Sequence, residues 1–214
     1  METTYTGFYA RFDTPSKKDA AVLLGADNLV GDLFDVEFVT EEGTAAVAWM
    51  VNRFGNRVAF FDTDTTRRLR VLHARDWKIK ALLSFVAFTD SPEPGEYWGE
   101  AAVLCFSPEH EQAFNTFADN VAKRLMEGIR PEVDLGEQGV KQILESNGTW
   151  SPAKTIPLPA KKPGTVIMKG RRKMSEKLIE QGRKGNKGCY VVSWAFILAV
   201  VALALFGLKS CGVF

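Results

Sequence analysis

The chain has 214 residues, a formal net charge of +1 and an ordinary globular composition, with 46% hydrophobic and 25% charged residues. The near-neutral total hides an asymmetry: residues 1–160 carry sixteen basic and twenty-four acidic side chains, whereas 161–187 carry ten Lys/Arg against Glu176 and Glu180 alone. An acidic head argues against general nucleic-acid affinity for the domain as a whole. The three cysteines, Cys105, Cys189 and Cys211, lie far apart, which excludes a disulfide framework and a zinc-binding pattern.

The first predicted element is a strand over residues 4–13, TYTGFYARFD, in which aromatic and polar residues alternate. SKKDAAVLLG follows as a short helix, with Ser16 as its N-cap, Asp19 three residues on and Gly25 as its stop. DLFDVEFVT, TAAVAWMV and RVAFFD read as three strands separated by the turn residues EEG and NRFGN. A helix over residues 64–77, DTTRRLRVLHARDW, precedes a long strand, KIKALLSFVAF, then a proline-containing loop and a last strand, YWGEAAVLCF. Two helices close the head. Residues 107–128 start with Ser107 as N-cap and Pro108 in the first turn, carry an apolar stripe at Phe114, Phe117, Val121 and Leu125, and stop at Gly128. Residues 136–148 form the second, closed by Asn147-Gly148. The expected fold class is α+β: a small curved antiparallel sheet or barrel with one inserted helix and two C-terminal helices.

Residues 1–150 are thus expected to form one domain. Pro152, Pro157, Pro159 and Pro163 predict a stiff, extended linker, and the basic residues after it complete a juxtamembrane neck over 151–188, with a short helix around 174–181. Residues 189–208, CYVVSWAFILAVVALALFGL, carry no charge. Twenty helical residues span about 30 Å, the thickness of a hydrocarbon core. They predict a single C-terminal transmembrane helix, with 209–214 as a short exposed tail. The Lys/Arg excess on the N-terminal side places the head in the cytosol, with a bacterial plasma membrane as the expected location. Lys169, Arg171, Arg172, Lys173, Arg183, Lys184 and Lys187 are the candidate membrane-surface residues, with anionic headgroups as their partner. Cys189, at the inner boundary, is a candidate for acylation.

Two constellations could carry chemistry. VAFFDTDTT, residues 58–66, ends an apolar strand in Asp-x-Asp-x-Thr and resembles the first motif of haloacid-dehalogenase-type phosphatases. That resemblance implies Asp62 as nucleophile, Asp64 as general acid/base and a bridging Mg²⁺. The later Lys and acidic pair of that family have no counterpart here, and Asp62 and Asp64 read equally as the end of a strand and the cap of a helix. No His-containing metal motif, Walker loop or Gly-x-Gly-x-x-Gly occurs, and no cofactor, metal or catalytic residue is expected. The second constellation is basic: Arg67, Arg68, Arg70, Arg75, Lys78 and Lys80 surround Trp77, opposed by Asp76. Arginine beside an aromatic suits phosphate or single-stranded nucleic acid. The same residues also read as the solvated face of a helix that turns Leu69, Leu72 and Trp77 inward.

The order of elements over residues 30–106 resembles the HIRAN domain, in TAAVAWMV, the glycine-containing turn, NRVAFFD, the helix and KIKALLSFVAF. The resemblance implies a small β-barrel and a nucleic-acid ligand. The expected function is a tail-anchored protein with a non-enzymatic cytosolic binding or adaptor domain. A nucleic-acid or phosphate binder using residues 67–80 is the alternative, and a Mg²⁺-dependent phosphohydrolase at Asp62/Asp64 is the third reading.

Overall fold

The computed structural model of the chain describes residues 4–41, 43–91, 93–173, 176, 196, 198 and 200. It divides into two compact units, Met1–Arg172 and Lys173–Phe214.

The first unit is a closed antiparallel barrel of six strands with four helices. In chain order the elements are β1 (Tyr5–Asp13), α1 (Lys17–Leu24), β2 (Leu33–Val39), β3 (Val47–Val51), β4 (Arg57–Phe61), α2 (Thr63–His73), β5 (Lys78–Thr89), β6 (Glu96–Phe106), α3 (Glu111–Met126), α4 (Glu137–Glu145) and β7 (Thr165–Lys169). The strands run β2-β3-β4-β1-β6-β5, and β2 pairs with β5 to close the barrel. Closure removes the open edges of a six-stranded sheet. The start of β5 pairs with β2 and its end pairs with β7, so β7 takes up the neighbour position that β2 leaves.

Alternation along each strand decides what fills the barrel. Ala10 and Phe12 of β1, Met50 of β3, Ala81 and Leu83 of β5 and Ala101, Val103 and Cys105 of β6 point inward and form one buried cluster with Leu69 and Leu72 of α2 and Leu23 of α1. Tyr5 and the alternate residues of β6, Ala102, Leu104 and Phe106, point outward under α3, where Phe114, Phe117, Val121 and Leu125 cover them. Gly7 lets the segment after α3 lie against β1, since a Cβ there would collide with the Val133 carbonyl. That carbonyl accepts a hydrogen bond from Tyr5 Oη at 2.9 Å.

The stops of α1 and α3 fall where the sequence places them, whereas α2, expected over 64–77, ends at His73 and leaves Trp77 outside the helix. Ser16 caps α1, accepting from Asp19 N. Gly128, at φ 84°, ends α3 with Ile129 N donating to Arg124 O at 3.0 Å. Ser107, however, caps a 3-10 turn, Pro108–His110, and α3 proper starts at Glu111.

The expected domain boundary at residue 150 falls inside the first unit, which runs on to Arg172. The proline-rich stretch is extended, as its composition dictates, but it is packed rather than free. Glu132 N donates to Lys154 O, Ile156 N to Arg130 O, and Arg124 Nη1 to Pro152 O. Arg130 is buried, donates to Pro157 O at 2.9 Å, pairs with Glu100 and lies over the Tyr9 ring. Beyond the prolines, β7 pairs with β5 and places Ile167 against Phe85, Ala87 and Trp98.

In the second unit, Glu176, Phe196, Leu198 and Val200 are helical. Among the described residues no helix is long and apolar enough to cross a membrane. The apolar run 189–208 and the expected helix at 174–181 otherwise lie outside the described residues.

Candidate functional site

The strands define two ends of the barrel. At one, α1 joins β1 to β2 and a tight turn joins β3 to β4. At the other, α2 crosses from the end of β4 to the start of β5. The basic constellation lies at this second end.

Local chemistry starts α2 at Asp62. Its Oδ1 accepts from Thr65 N at 2.7 Å, an N-cap of the ordinary kind. Thr66 ties the helix to the barrel, accepting from Ala48 N at 3.1 Å and donating to Phe61 O at 3.3 Å. With Thr66, Leu69 and Leu72 buried, the opposite face presents Asp64, Arg67, Arg68 and Val71, and Arg75 follows in the turn after the helix. This face forms one wall of a groove of about 1240 Å³, and Thr4 and Thr6 at the start of β1, with Ser107 and Glu109 after β6, form the other. Trp77 lines its floor and packs on the barrel core.

The six basic candidates therefore separate. Arg67, Arg68 and Arg75 share the groove with Trp77. Arg70 is exposed outside its lining. Lys78 and Lys80 lie on β5, alternating with the core-packed Ile79 and so on the barrel's outer side. Arg68 is the most constrained of the three groove arginines. It sits over the Phe8 ring, 3.8 Å from the centroid, and its Nη2 donates to Thr6 Oγ1 at 2.9 Å. Arg67 is held only by Asp64 at 3.8 Å, with both side chains more than three-quarters exposed, a pair worth about 0–1 kcal/mol. Asp64 and Glu109 offset part of the positive charge, so the groove combines cations, hydroxyls, one aromatic ring and two carboxylates.

Sequence reasoning missed the second wall. Thr4, Thr6, Phe8, Ser107 and Glu109 lie some sixty and forty residues from α2, and only barrel closure brings them to it. The alternation of β1, which turns Phe8 inward, was the one available signal.

The two aspartates of the Asp-x-Asp pattern lie at the start of α2. Asp62 spends its carboxylate on the helix cap, and the Asp64 side chain is 94% exposed. Among the described residues no three His, Cys, Asp or Glu gather as metal ligands. His110 is exposed, and His73 is exposed with its ring 5.2 Å from Phe38. Cys105 pairs with Thr6 beneath the groove but points into the core, where burial pushes its thiol up to about 12, with Arg68 acting in the opposite sense. A thiol so displaced is not a nucleophile at neutral pH.

Two of the membrane-surface candidates belong to the fold. Lys169 is 8% exposed, and its Nζ donates to Gly25 O at 2.9 Å and Asn28 O at 2.6 Å, next to the last turn of α1. Arg172 is 5% exposed, donates to Val30 O at 2.6 Å and pairs with Asp32 at 2.8 Å. Carbonyls at the end of a helix and the Asp32 carboxylate supply the acceptors that replace the water these two cations lose on burial. Arg171 is exposed, as is Lys173. Arg183, Lys184 and Lys187 lie outside the described residues.

The class this defines is an α+β protein built on a closed six-strand barrel, with an arginine-lined groove at one end. No family model matches the chain, and no curated protein and no solved structure matches it.

Proposed function

We propose that the chain is a membrane-anchored binding protein: 189–208 spans the bilayer, the head lies in the cytosol, and the groove along α2 receives an anionic group of a partner. The uncharged run of twenty residues and the lopsided Lys/Arg count beside it support the anchor and its orientation. The observation that carries the binding role is Arg68. A guanidinium already oriented by Phe8 and Thr6 loses less freedom on meeting a carboxylate or phosphate than a free one does. Arg67 and Arg75 flank it, and Thr4, Thr6 and Ser107 supply hydroxyl donors. The groove's chemistry suits capture rather than turnover, since Cys105 is sealed in the core and Asp62 is engaged as a cap.

A second reading has one observation in its favour. Trp77 lies in the same groove as the three arginines, the pairing that binds single-stranded nucleic acid by stacking and charge. It is the reading that the HIRAN resemblance implies. Asp64 and Glu109 in the groove favour a compact anion over a continuous polyanion. The full chain in nanodiscs, titrated with fluorescent single-stranded DNA and with acidic and phosphorylated peptides at low and moderate salt, separates them. Peptide binding lost in Arg68→Ala/Arg75→Ala supports the first. Steeply salt-dependent DNA binding lost in the same variant supports the second. No binding of either kind defeats the groove as the site.

A further inference from the structure

We infer that the end of the barrel opposite the α2 groove is a lipid-docking face, which rests on the anionic leaflet that holds the anchor and points the groove away from it. The inference rests on the anchoring proposed above and concerns a different surface.

The face is assembled from three elements. β7 turns Ile167 and Lys169 toward the fold, so the alternate residues Val166 and Met168 are exposed, at 57% and 43%. Register extends this apolar row sideways: Val166 pairs with Phe88, and Phe88 pairs with Tyr97, whose ring lies 4.7 Å from it. The β3–β4 turn projects Phe54, 54% exposed beneath the Arg53 guanidinium. A chain of hydrogen bonds fixes this turn to β7: Lys169 Nζ to Asn28 O, Asn52 Nδ2 to Asn28 Oδ1, and Phe54 N to Asn52 Oδ1. Val22 of α1, 40% exposed, precedes Leu23, whose carbonyl also accepts from Lys169. Four exposed apolar side chains therefore share one end, held together by a buried lysine.

Charge points to the occupant. Exposed Lys161 and Lys162 precede β7 and exposed Arg171 follows it, with Arg53 on the turn and Lys17 and Lys18 at the start of α1. Asp13, Asp19, Asp27, Asp90, Glu93 and Glu96 share this end, with Arg11 paired to Asp13 and Glu96, so the attraction is moderate and is concentrated around β7. Aromatic and aliphatic tips ringed by Lys and Arg suit an interface between headgroups and acyl chains. A basic residue beside an anionic leaflet gains about 1 kcal/mol.

Chain length makes moderate attraction sufficient. The folded unit ends at Arg172, and sixteen residues, 173–188, separate it from the apolar run. Sixteen residues of chain span at most about 55 Å, so the head stays within that distance of the apolar run at an effective concentration of order mM.

The test uses the full chain with Cys189→Ser and Cys211→Ser, leaving Cys105 sealed, and an environment-sensitive fluorophore on Met168→Cys or, as control, on Ala45→Cys in the β2–β3 loop at the groove end. Each is reconstituted into vesicles of equal phosphatidylcholine and phosphatidylglycerol, with and without headgroup-level nitroxide lipid. The expected result is quenching at 168 several-fold above that at 45, reduced by Lys161→Glu/Lys162→Glu/Arg171→Glu and separately by Phe54→Ser, in chains that keep their melting temperature. Equal or absent quenching at 168 in a chain that resists carbonate extraction overturns the docking face and leaves the anchor standing. Extraction by carbonate overturns the anchor and the docking face together.

Discussion

Arg68 and Phe8 join α2 to the first strand: the guanidinium lies 3.8 Å from the ring centroid, and Nη2 donates to Thr6 Oγ1 at 2.9 Å. The contact serves stability and readiness for a ligand at once. An exposed cation–π contact contributes about 0.5–1 kcal/mol, and a hydrogen bond a similar net amount. Arg68→Ala is therefore expected to lower stability by about 1 kcal/mol. Arg67→Ala, with its partner Asp64 almost fully exposed, is expected to cost close to nothing. Urea denaturation of both variants checks the difference, and equal midpoints would show that Arg68 is as loosely held as its neighbour.

Asp62 and Asp64 should also part company. Asp62 holds Thr65 N at 2.7 Å, and loss of such a cap costs about 0.5–2 kcal/mol. Asp64 contributes a first-turn charge and a long contact to Arg67. Asp62→Ala is expected to lower the unfolding midpoint, and Asp64→Ala to leave it nearly unchanged. A Mg²⁺-dependent hydrolysis of a phosphomonoester that disappears in either folded variant would restore the phosphohydrolase reading.

How far these features were legible in the sequence depends on their range. The strand at residues 4–13, the Ser16 cap, the α2 helix and the apolar stripe of α3 rest on spacings of two to four residues, and the sequence displays them directly. The order of the strands led to a curved antiparallel sheet or a small barrel, and the pairing of β2 with β5 that closes it was not legible. What could not be read was pairing at distance. Lys169 lies in a stretch where every neighbour suggests a basic tether, yet it is buried because the carbonyls of Gly25 and Asn28 happen to converge there. TVIMK is too short and too close to charge for its alternation to stand out. The groove was half legible for the same reason: its arginines are a helical pattern, whereas Thr6 and Ser107 arrive through strand register.

Cys105 makes a prediction about pH. Burial raises its thiol from 9.0 to about 12, so between these values the folded state holds a proton that the unfolded state has released. The stabilisation is fully present below pH 9 and declines as pH rises towards 12. Tyr9, pushed up from 10.0 to about 12 by burial against the partial opposition of Arg130, acts in the same sense. The full chain should therefore lose stability progressively in the alkaline range, and Cys105→Ala should lessen the loss. In the native chain at pH 8, Cys105 should resist a thiol reagent that labels it in denaturant. Rapid native labelling, judged by mass spectrometry of the peptide, would place the thiol at the groove surface instead of in the core.

Arg172 offers the strongest test of where the folded head ends. Its guanidinium side chain is 2% exposed, donates to Val30 O and pairs with Asp32, while its own backbone N donates to Met126 O at 2.9 Å. Removing one member of a buried ion pair costs about 3–5 kcal/mol where the other is left uncompensated. Asp32 keeps the hydrogen bond from Leu29 N and a side chain 19% exposed, so Arg172→Met is expected to destabilise the head by less, about 2 kcal/mol. Arg171→Met, one residue away and exposed, should stay within about 0.5 kcal/mol of the parent. If both arginines served only as topology signals beside a membrane, the two substitutions would be equivalent. A chain ended after Gly164, lacking β7 and both buried cations, should unfold well below one ended after Lys173. Hydrogen exchange at Val30 and Leu83 should quicken in Arg172→Met, because the loop that Arg172 clamps is joined to β5 by Leu83 N donating to Asp32 O. Equal midpoints for the two truncated chains would return the boundary of the head to residue 150 and make residues 151–172 a linker after all.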